Sequence, residues 1–189
     1  DTFNASAATN FTNLDPERSF VRGGRGDDTL VGNDNNNLFY GDAGNDTLNA
    51  GGGNDVIYGG NNSAKGDDGS VDIAVFSGTS EEYRVSRATD VNFGYVYYIQ
   101  DTRDDSPDGL DTLYDIDKLR FSDNKSYSIS DYYAAKAGEG AGDDVITGTP
   151  GDDLIDGFGG NDTITGLAGD DILIGGDGND VIDGGIGKN

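Results

Sequence analysis

The chain has 189 residues and a net charge of −24, from 36 acids against 12 bases. That charge argues against nucleic acid or an anionic membrane surface as a partner, and for bound cations. Cysteine and histidine are both absent, which removes disulfide staples, the commonest general base and the usual ligands of zinc or iron.

The 32 glycines and three prolines do not follow an every-third-residue pattern, so a collagen-like chain is excluded. No stretch is long and apolar enough to span a membrane, and no secretory signal opens the chain. It begins and ends inside recognisable patterns, as an excerpt from a larger protein would.

Residues 1–22 read as a polar lead-in with scattered Phe3, Phe11 and Phe20, in which DTFNAS is expected to be the strand end of a preceding repeat. From Gly23 a nine-residue frame begins, G-G-x-G-x-D-x-U-x, where U is a large apolar residue. It runs GGRGDDTLV, GNDNNNLFY, GDAGNDTLN, AGGGNDVIY, with Asn37 standing where Asp is expected. After Gly59-Gly60 the insertion NNSAKGDDGS breaks the count, and VDIAVF is read as a last strand carrying Asp72. Residues 23–76 thus form a first array.

Residues 77–137 differ in kind. EEYRVSR, GYVYYIQD, DKLRFSD and KSYSIS alternate polar and apolar residues and are rich in β-branched and aromatic types, which predicts antiparallel strands. Turn signals lie at Asp90–Gly94, Asp104–Gly109 and Asp123–Lys125. SDYYAAKAG is expected as a short helix with Ser130 as its N-cap. The segment is expected to cap the first array, with Tyr83, Tyr95 and Phe121 buried and one of Tyr97 and Tyr98 facing outward.

The frame resumes in residues 138–189 with EGAGDDVIT, GTPGDDLID, GFGGNDTIT, GLAGDDILI, GGDGNDVID and the fragment GGIGKN. A fixed period of this length marks a stacked repeat architecture. In a three-residue strand the middle side chain points opposite to its neighbours, so position 8 (Leu30, Phe39, Leu48, Ile57; then Ile146, Ile155, Ile164, Leu173, Ile182) lines a narrow interior. Position 6 places Asp28, Asp46 and Asp55, then Asp144, Asp153, Asp162, Asp171 and Asp180, beside glycine-bent turns. A hard cation with six to eight oxygen ligands suits carboxylates mixed with carbonyls, and Ca²⁺ is the expected ion. The competing reading, that these aspartates only cap turns, does not explain their register.

These motifs resemble the RTX (repeats-in-toxin) family of secreted calcium-binding proteins and cover about half the chain. The resemblance implies an all-β fold of two parallel β-roll segments separated by a small antiparallel β module. It implies several Ca²⁺ ions, each between turns two repeats apart. One turn would give the carbonyls of positions 2 and 4 with its aspartate, the later turn those of positions 1 and 3 with its own.

Carried over, this pairs Gly24, Gly26 and Asp28 with Gly41, Ala43 and Asp46. It pairs Gly140, Gly142 and Asp144 with Gly157, Gly159 and Asp162, and Thr149, Gly151 and Asp153 with Gly166, Ala168 and Asp171. It also pairs Phe158, Gly160 and Asp162 with Gly175, Asp177 and Asp180. Asn37 with Asp55 supplies one carboxylate fewer, as does Asn189 opposite Asp171, and the insertion leaves the Asp46–Asp72 pairing open.

The resemblance further implies a non-catalytic module of a bacterial protein, exported by type I secretion, that folds on Ca²⁺ outside the cell; a monomer is expected. The alternative is a polysaccharide-binding module of a secreted enzyme or adhesin, using Arg84, Arg87, Lys118, Arg120 and Lys125 of the middle segment with an outward tyrosine. An active site is not expected, because nearly every clustered aspartate already belongs to the repeat.

Several motifs have bland explanations. Arg25-Gly26-Asp27 and Asn45-Asp46-Thr47 are products of the frame. Outward Thr29, Thr47, Thr147, Thr163 and Thr165 share columns with Asp156, Asp183, Tyr40 and Ile174, so no regular threonine face exists. The acidic loop Asp101–Asp111 reads more simply as a solvated hairpin loop than as a further Ca²⁺ site.

Overall fold

A computed structural model describes residues 20–60, 69–103, 107–136 and 140–188, together with the backbone of 4–5, 10–11 and 137. The insertion residues 61–68, most of the lead-in, Glu139 and Asn189 lie outside the described residues. The chain divides into two compact units, one of residues 1–84 and 89–131, the other of residues 85–88 and 132–189.

The first unit opens with β1 (Asn4–Ala5), β2 (Asn10–Phe11), β3 (Phe20–Arg25), β4 (Thr29–Val31), β5 (Leu38–Ala43), β6 (Thr47–Asn49), β7 (Val56–Tyr58) and β8 (Ile73–Val75). Successive strands alternate between two sheets, and each pairs in parallel with the strand two along. Leu30 faces Leu48 in one sheet, and Phe39 faces Ile57 in the other. Odd and even position-8 side chains therefore meet in the interior. Leu30, Phe39, Leu48 and Ala74 are fully buried and Ile57 nearly so. With about 0.8 kcal/mol per buried CH₂, this apolar column is what each turn contributes to holding the stack.

Residues 77–137 supply β9 (Tyr83–Asp90), β10 (Gly94–Asp101), β11 (Leu110–Tyr114), β12 (Lys118–Arg120), β13 (Ser126–Ser128) and α1 (Ile129–Ala137). Antiparallel pairing is present between β10 and β11 and between β12 and β13. The same segment also continues both roll sheets. β11 lies parallel on β7, with Leu113 beside Ile57, and β12 lies parallel on β8, with Leu119 beside Ala74. The resulting strand orders are β1-β3-β5-β7-β11-β10-β9 and β13-β12-β8-β6-β4-β2. Strand β11 was not expected from the sequence, because Gly109, Pro107 and the acids before it read as loop.

Tyr83 and Phe121 are buried and pack with Phe76. Tyr95, expected in the core, is 54% exposed: it shares a face with the buried Tyr97 and Ile99 but precedes Val96, where the pairing of β10 with β11 starts. Tyr97 is buried and Tyr98 half-buried. The helix N-cap is Ser128, not Ser130: its Oγ accepts the N–H of Asp131 at 3.1 Å. On the outer face, Tyr40, Tyr58 and Tyr114 stack with centroids 4.8 and 4.6 Å apart. Their faces are covered by one another, with Phe20 and Phe93 tilted against them, which suits strand cohesion better than stacking on a sugar ring. Of the five basic residues considered for a glycan, Lys125 is paired with Asp123 at 3.2 Å and Arg87 lies over the Tyr133 ring.

The second unit is a roll of β14 (Val145–Thr147), β15 (Leu154–Asp156), β16 (Thr163–Thr165), β17 (Ile172–Ile174) and β18 (Val181–Asp183). Its sheets run β14-β16-β18 and β15-β17, all parallel. Ile164 is fully buried between Ile146 and Ile182, but Ile182 itself is 47% exposed at the outer strand.

Candidate metal centre

Each position-6 aspartate sits at the entry to its strand with its carboxylate turned toward the turn rather than to solvent. Asp28, Asp46, Asp55, Asp72, Asp162 and Asp171 are all buried. One carboxylate oxygen is used in the same way along the stack: it accepts the backbone N–H of the position-6 residue two turns earlier. Asp46 Oδ1 takes the Asp28 N–H at 2.7 Å, and Asp55 Oδ1 takes that of Asn37 at 2.6 Å. Asp162, Asp171 and Asp180 take those of Asp144, Asp153 and Asp162 at 2.8, 3.0 and 2.9 Å. Despite the insertion, Asp72 Oδ1 takes the Asp46 N–H at 2.8 Å, so the pairing left open by the sequence is made.

The second oxygen points into the turn. A Cβ on Gly23 would fall 2.6 Å from Asp28 Oδ2 and 2.6 Å from the Gly41 carbonyl oxygen two turns on. At Gly148 the corresponding distances are 2.6 Å to Asp153 Oδ2 and 2.8 Å to the Gly166 carbonyl. Gly41, Gly157 and Gly166 show the same convergence of their own turn's aspartate with a later carbonyl. At these turns position 1 is glycine because a carboxylate and a carbonyl already occupy the side-chain volume. The Oδ2 atoms of Asp46, Asp55 and Asp162 are buried with no hydrogen-bond partner. Leaving a buried carboxylate oxygen unpaired costs far more than a neutral group.

The electrostatics follow. Burial, reinforced by Asp72, Asp28 and Asp27, pushes the Asp46 carboxyl up to about 7 against a hydrogen bond with Asp28 that opposes it. Burial likewise raises Asp55 to about 7. Among the described residues no three acidic side chains converge on one point. Each step instead offers two carboxylates and backbone carbonyls, a hard all-oxygen donor set that fits Ca²⁺.

The backbone at the other expected ligands is paired across two turns. Ala43 O accepts the Gly26 N–H at 2.7 Å, and Gly24 pairs with Asp42 in the sheet. Ala141 bridges to Gly159, with Gly140 against Phe158 and Gly142 against Gly160. Gly160 donates to Asp177 O at 2.9 Å and Asp177 to Phe158 O at 2.8 Å. Ala168 bridges to Ile186, and the Gly175 carbonyl lies against Gly157. Gly151 lies against Gly169, one residue from Ala168. The Thr149 amide bonds Asp153 Oδ2 at 2.6 Å, and its hydroxyl lies 3.1 Å from the same oxygen. That oxygen is therefore shared, which sets this turn apart from the others. Asn37 Oδ1 accepts the Asn33 N–H at 3.2 Å within its own turn.

Two features escaped the sequence reading. The first is position 5, treated as variable. Asp27 Oδ1 accepts the Asn45 N–H at 2.8 Å, Asn45 Oδ1 that of Val71 at 2.8 Å, and Asn36 Oδ1 that of Asn54 at 2.9 Å. Asp143, Asn161, Asp152 and Asp170 repeat the pattern with Asn161, Asn179, Asp170 and Lys188. This ladder runs opposite to that of position 6, so each turn is tied to its neighbour in both directions. The signal was present as an Asp or Asn at position 5 in every full unit. The second is Asp111 and Asp117. Asp111 Oδ1 accepts the Asp55 N–H and Asp117 Oδ2 the Asp72 N–H, each at 2.8 Å. Their D-x-L spacing copies positions 6 to 8, and Gly109 stands at position 4 before Asp111, but Ser106 and Pro107 replace the glycines of positions 1 and 2.

Four stretches of the chain match the RTX calcium-binding nonapeptide repeat: residues 20–48, 31–63, 140–171 and 156–189. A comparison with curated proteins gives no match. Among solved structures the chain is similar to the extracellular lipase LipA from Serratia marcescens, at 24% identity over 82% of this chain. It spans 28% of that lipase, with a TM-score of 0.26, too low for an overall superposition. With the nine-residue period, the parallel roll and the two-turn aspartate pairing all in place, the two arrays are RTX calcium-binding repeats and the chain belongs to that family.

Proposed function

We propose that the chain is a non-catalytic, calcium-dependent folding module of a larger secreted protein, with Ca²⁺ held between turns two repeats apart. The observation that carries this is the set of buried, unpartnered Oδ2 atoms on Asp46, Asp55 and Asp162. Each is a buried carboxyl oxygen with its sister atom already used, and a bound cation completes it. The ligands are the position-6 aspartates with the carbonyls of positions 2 and 4 in one turn and 1 and 3 two turns later. Each ion removes two negative charges from a chain carrying −24 and ties two turns together, so binding and folding form one equilibrium. Folding therefore belongs outside a calcium-poor cell interior, which supports export in the unfolded state by type I secretion.

Far-UV circular dichroism tests this. In chelator the spectrum is expected to be largely disordered, with β-structure forming cooperatively on adding Ca²⁺. Mg²⁺ is expected not to substitute, since it demands a tight octahedron and sheds water reluctantly. An unchanged spectrum and melting temperature with and without Ca²⁺ contradicts the proposal.

A further inference from the structure

The first array's aspartate ladder does not stop where the nine-residue frame stops. The matched repeats end at residue 63, yet residues 107–111 form one more turn of the same geometry. Asp55 donates its N–H to Asp111 Oδ1 at 2.8 Å, and Thr112 donates to Asp55 O at 2.8 Å, as Thr47 does to Asp28 O in the regular step. Leu110 donates to Asn54 Oδ1 at 2.9 Å, the position-5 bond. Gly109 has φ 71° and lies against the Gly53 carbonyl, as Gly44 lies against that of Gly26.

We infer that a further Ca²⁺ site lies at the Asp55–Asp111 step, built by a repeat turn and by a turn 56 residues away in number that lacks the repeat sequence. This rests on the reading that the regular steps bind calcium. Asp55 is 1% exposed, and its Oδ2 is buried without a partner while Oδ1 is held by the Asn37 amide. Asp111, 2% exposed, brings the second carboxylate. By position, the carbonyls of Gly51, Gly53 and Asp108 complete the set.

The turn is held from outside by a polar cluster that the regular turns lack. Asp108 accepts hydrogen bonds from Ser77 Oγ at 2.6 Å and Tyr83 Oη at 2.5 Å, and its N–H donates to Asp101 Oδ2 at 3.0 Å. Arg103 bridges Asp101 at 2.6 Å and Asp108 at 3.5 Å. The guanidinium is thus already matched by two carboxylates and does not oppose a cation at Asp111. The cluster does the positioning that the glycine-rich sequence does elsewhere. At the next step a Cβ on Gly59 would meet both Asp72 Oδ2 and the Asp115 carbonyl, but only Asp115 and Ile116 stand between β11 and Asp117.

The test is a count of bound Ca²⁺ by equilibrium dialysis on the wild type, Asp111→Asn and Asp162→Asn. Asp111→Asn is expected to bind one ion fewer than wild type, and Asp162→Asn to lose ions independently. A full count in Asp111→Asn beside a reduced one in Asp162→Asn overturns this site and leaves the array reading standing. No binding by the wild type overturns both. If Asp111→Asn does not fold, wild-type crystals grown in Ca²⁺ decide. An electron-density peak between Asp55 and Asp111 supports the site. Its absence, with peaks between Asp144 and Asp162, overturns it.

Discussion

At the scale of single residues, the roll is a device for burying carboxylates. Asp46 and Asp55 sit at about 7, well above the ordinary carboxylate, because burial disfavours their charge. A carboxyl raised in the folded state favours folding only while it holds its proton. Without Ca²⁺ that contribution is present below the unfolded value of about 4 and is lost as pH rises toward about 7. In chelator, acidification from pH 7.5 to 4.5 is therefore expected to restore part of the β-signal by circular dichroism. Chelated protein that stays fully disordered at pH 4.5 contradicts this. Glycines divide in the same physical terms. A Cβ on Gly157 would collide with Asp162 Oδ2 and the Gly175 carbonyl, whereas one on Gly142 meets nothing within 4 Å. Gly157→Ala is expected to lower stability in saturating Ca²⁺ by roughly 1–3 kcal/mol, as overpacking does. Gly142→Ala should leave the thermal midpoint nearly unchanged.

At the scale of elements, a strand and its turn are the unit, and each is tied two turns away rather than to its neighbour in sequence. Asp162 accepts the Asp144 amide and gives its own to Asp180, so it serves two steps. Asp180 accepts one amide, and its strand β18 is exposed throughout. Asp162→Ala is expected to reduce the Ca²⁺ count by more than Asp180→Ala, with a stability loss of about 2 kcal/mol for the charged hydrogen bond alone. Calorimetric titration checks it, and equal losses contradict the two-turn pairing. In repeat arrays an interior loss propagates because stability is a sum over neighbours.

At the scale of the whole molecule, charge and glycine content set the balance. A chain of −24 with this many turns repels itself in a compact state, and counter-ions are expected to be needed for it to fold. In chelator at low salt, small-angle scattering is expected to give a radius of gyration near the ~46 Å of an unfolded chain of this length. It should fall sharply on adding Ca²⁺. A compact value in chelator would show that the apolar columns suffice without metal.

The sequence by itself determined the roll and most of the candidate centre. A period of nine fixes position 8 as interior, as the burial of Leu30, Phe39, Leu48 and Ile164 shows, and sets every position-6 aspartate beside a turn. Periodicity is a local signal, and it is legible wherever glycine and aspartate recur at fixed offsets. What only the tertiary structure decided is where the frame is broken. Asp72 returns to register after the insertion because β8 must pair with β6 to bury Ala74. Asp111 and Asp117 join the ladder because β7 and β8 have free edges that β11 and β12 fill. Position 5 matters only across two turns, so its bonds are invisible along one unit. Edge pairing and through-stack hydrogen bonds depend on which backbone groups lie side by side, and only folding brings those together.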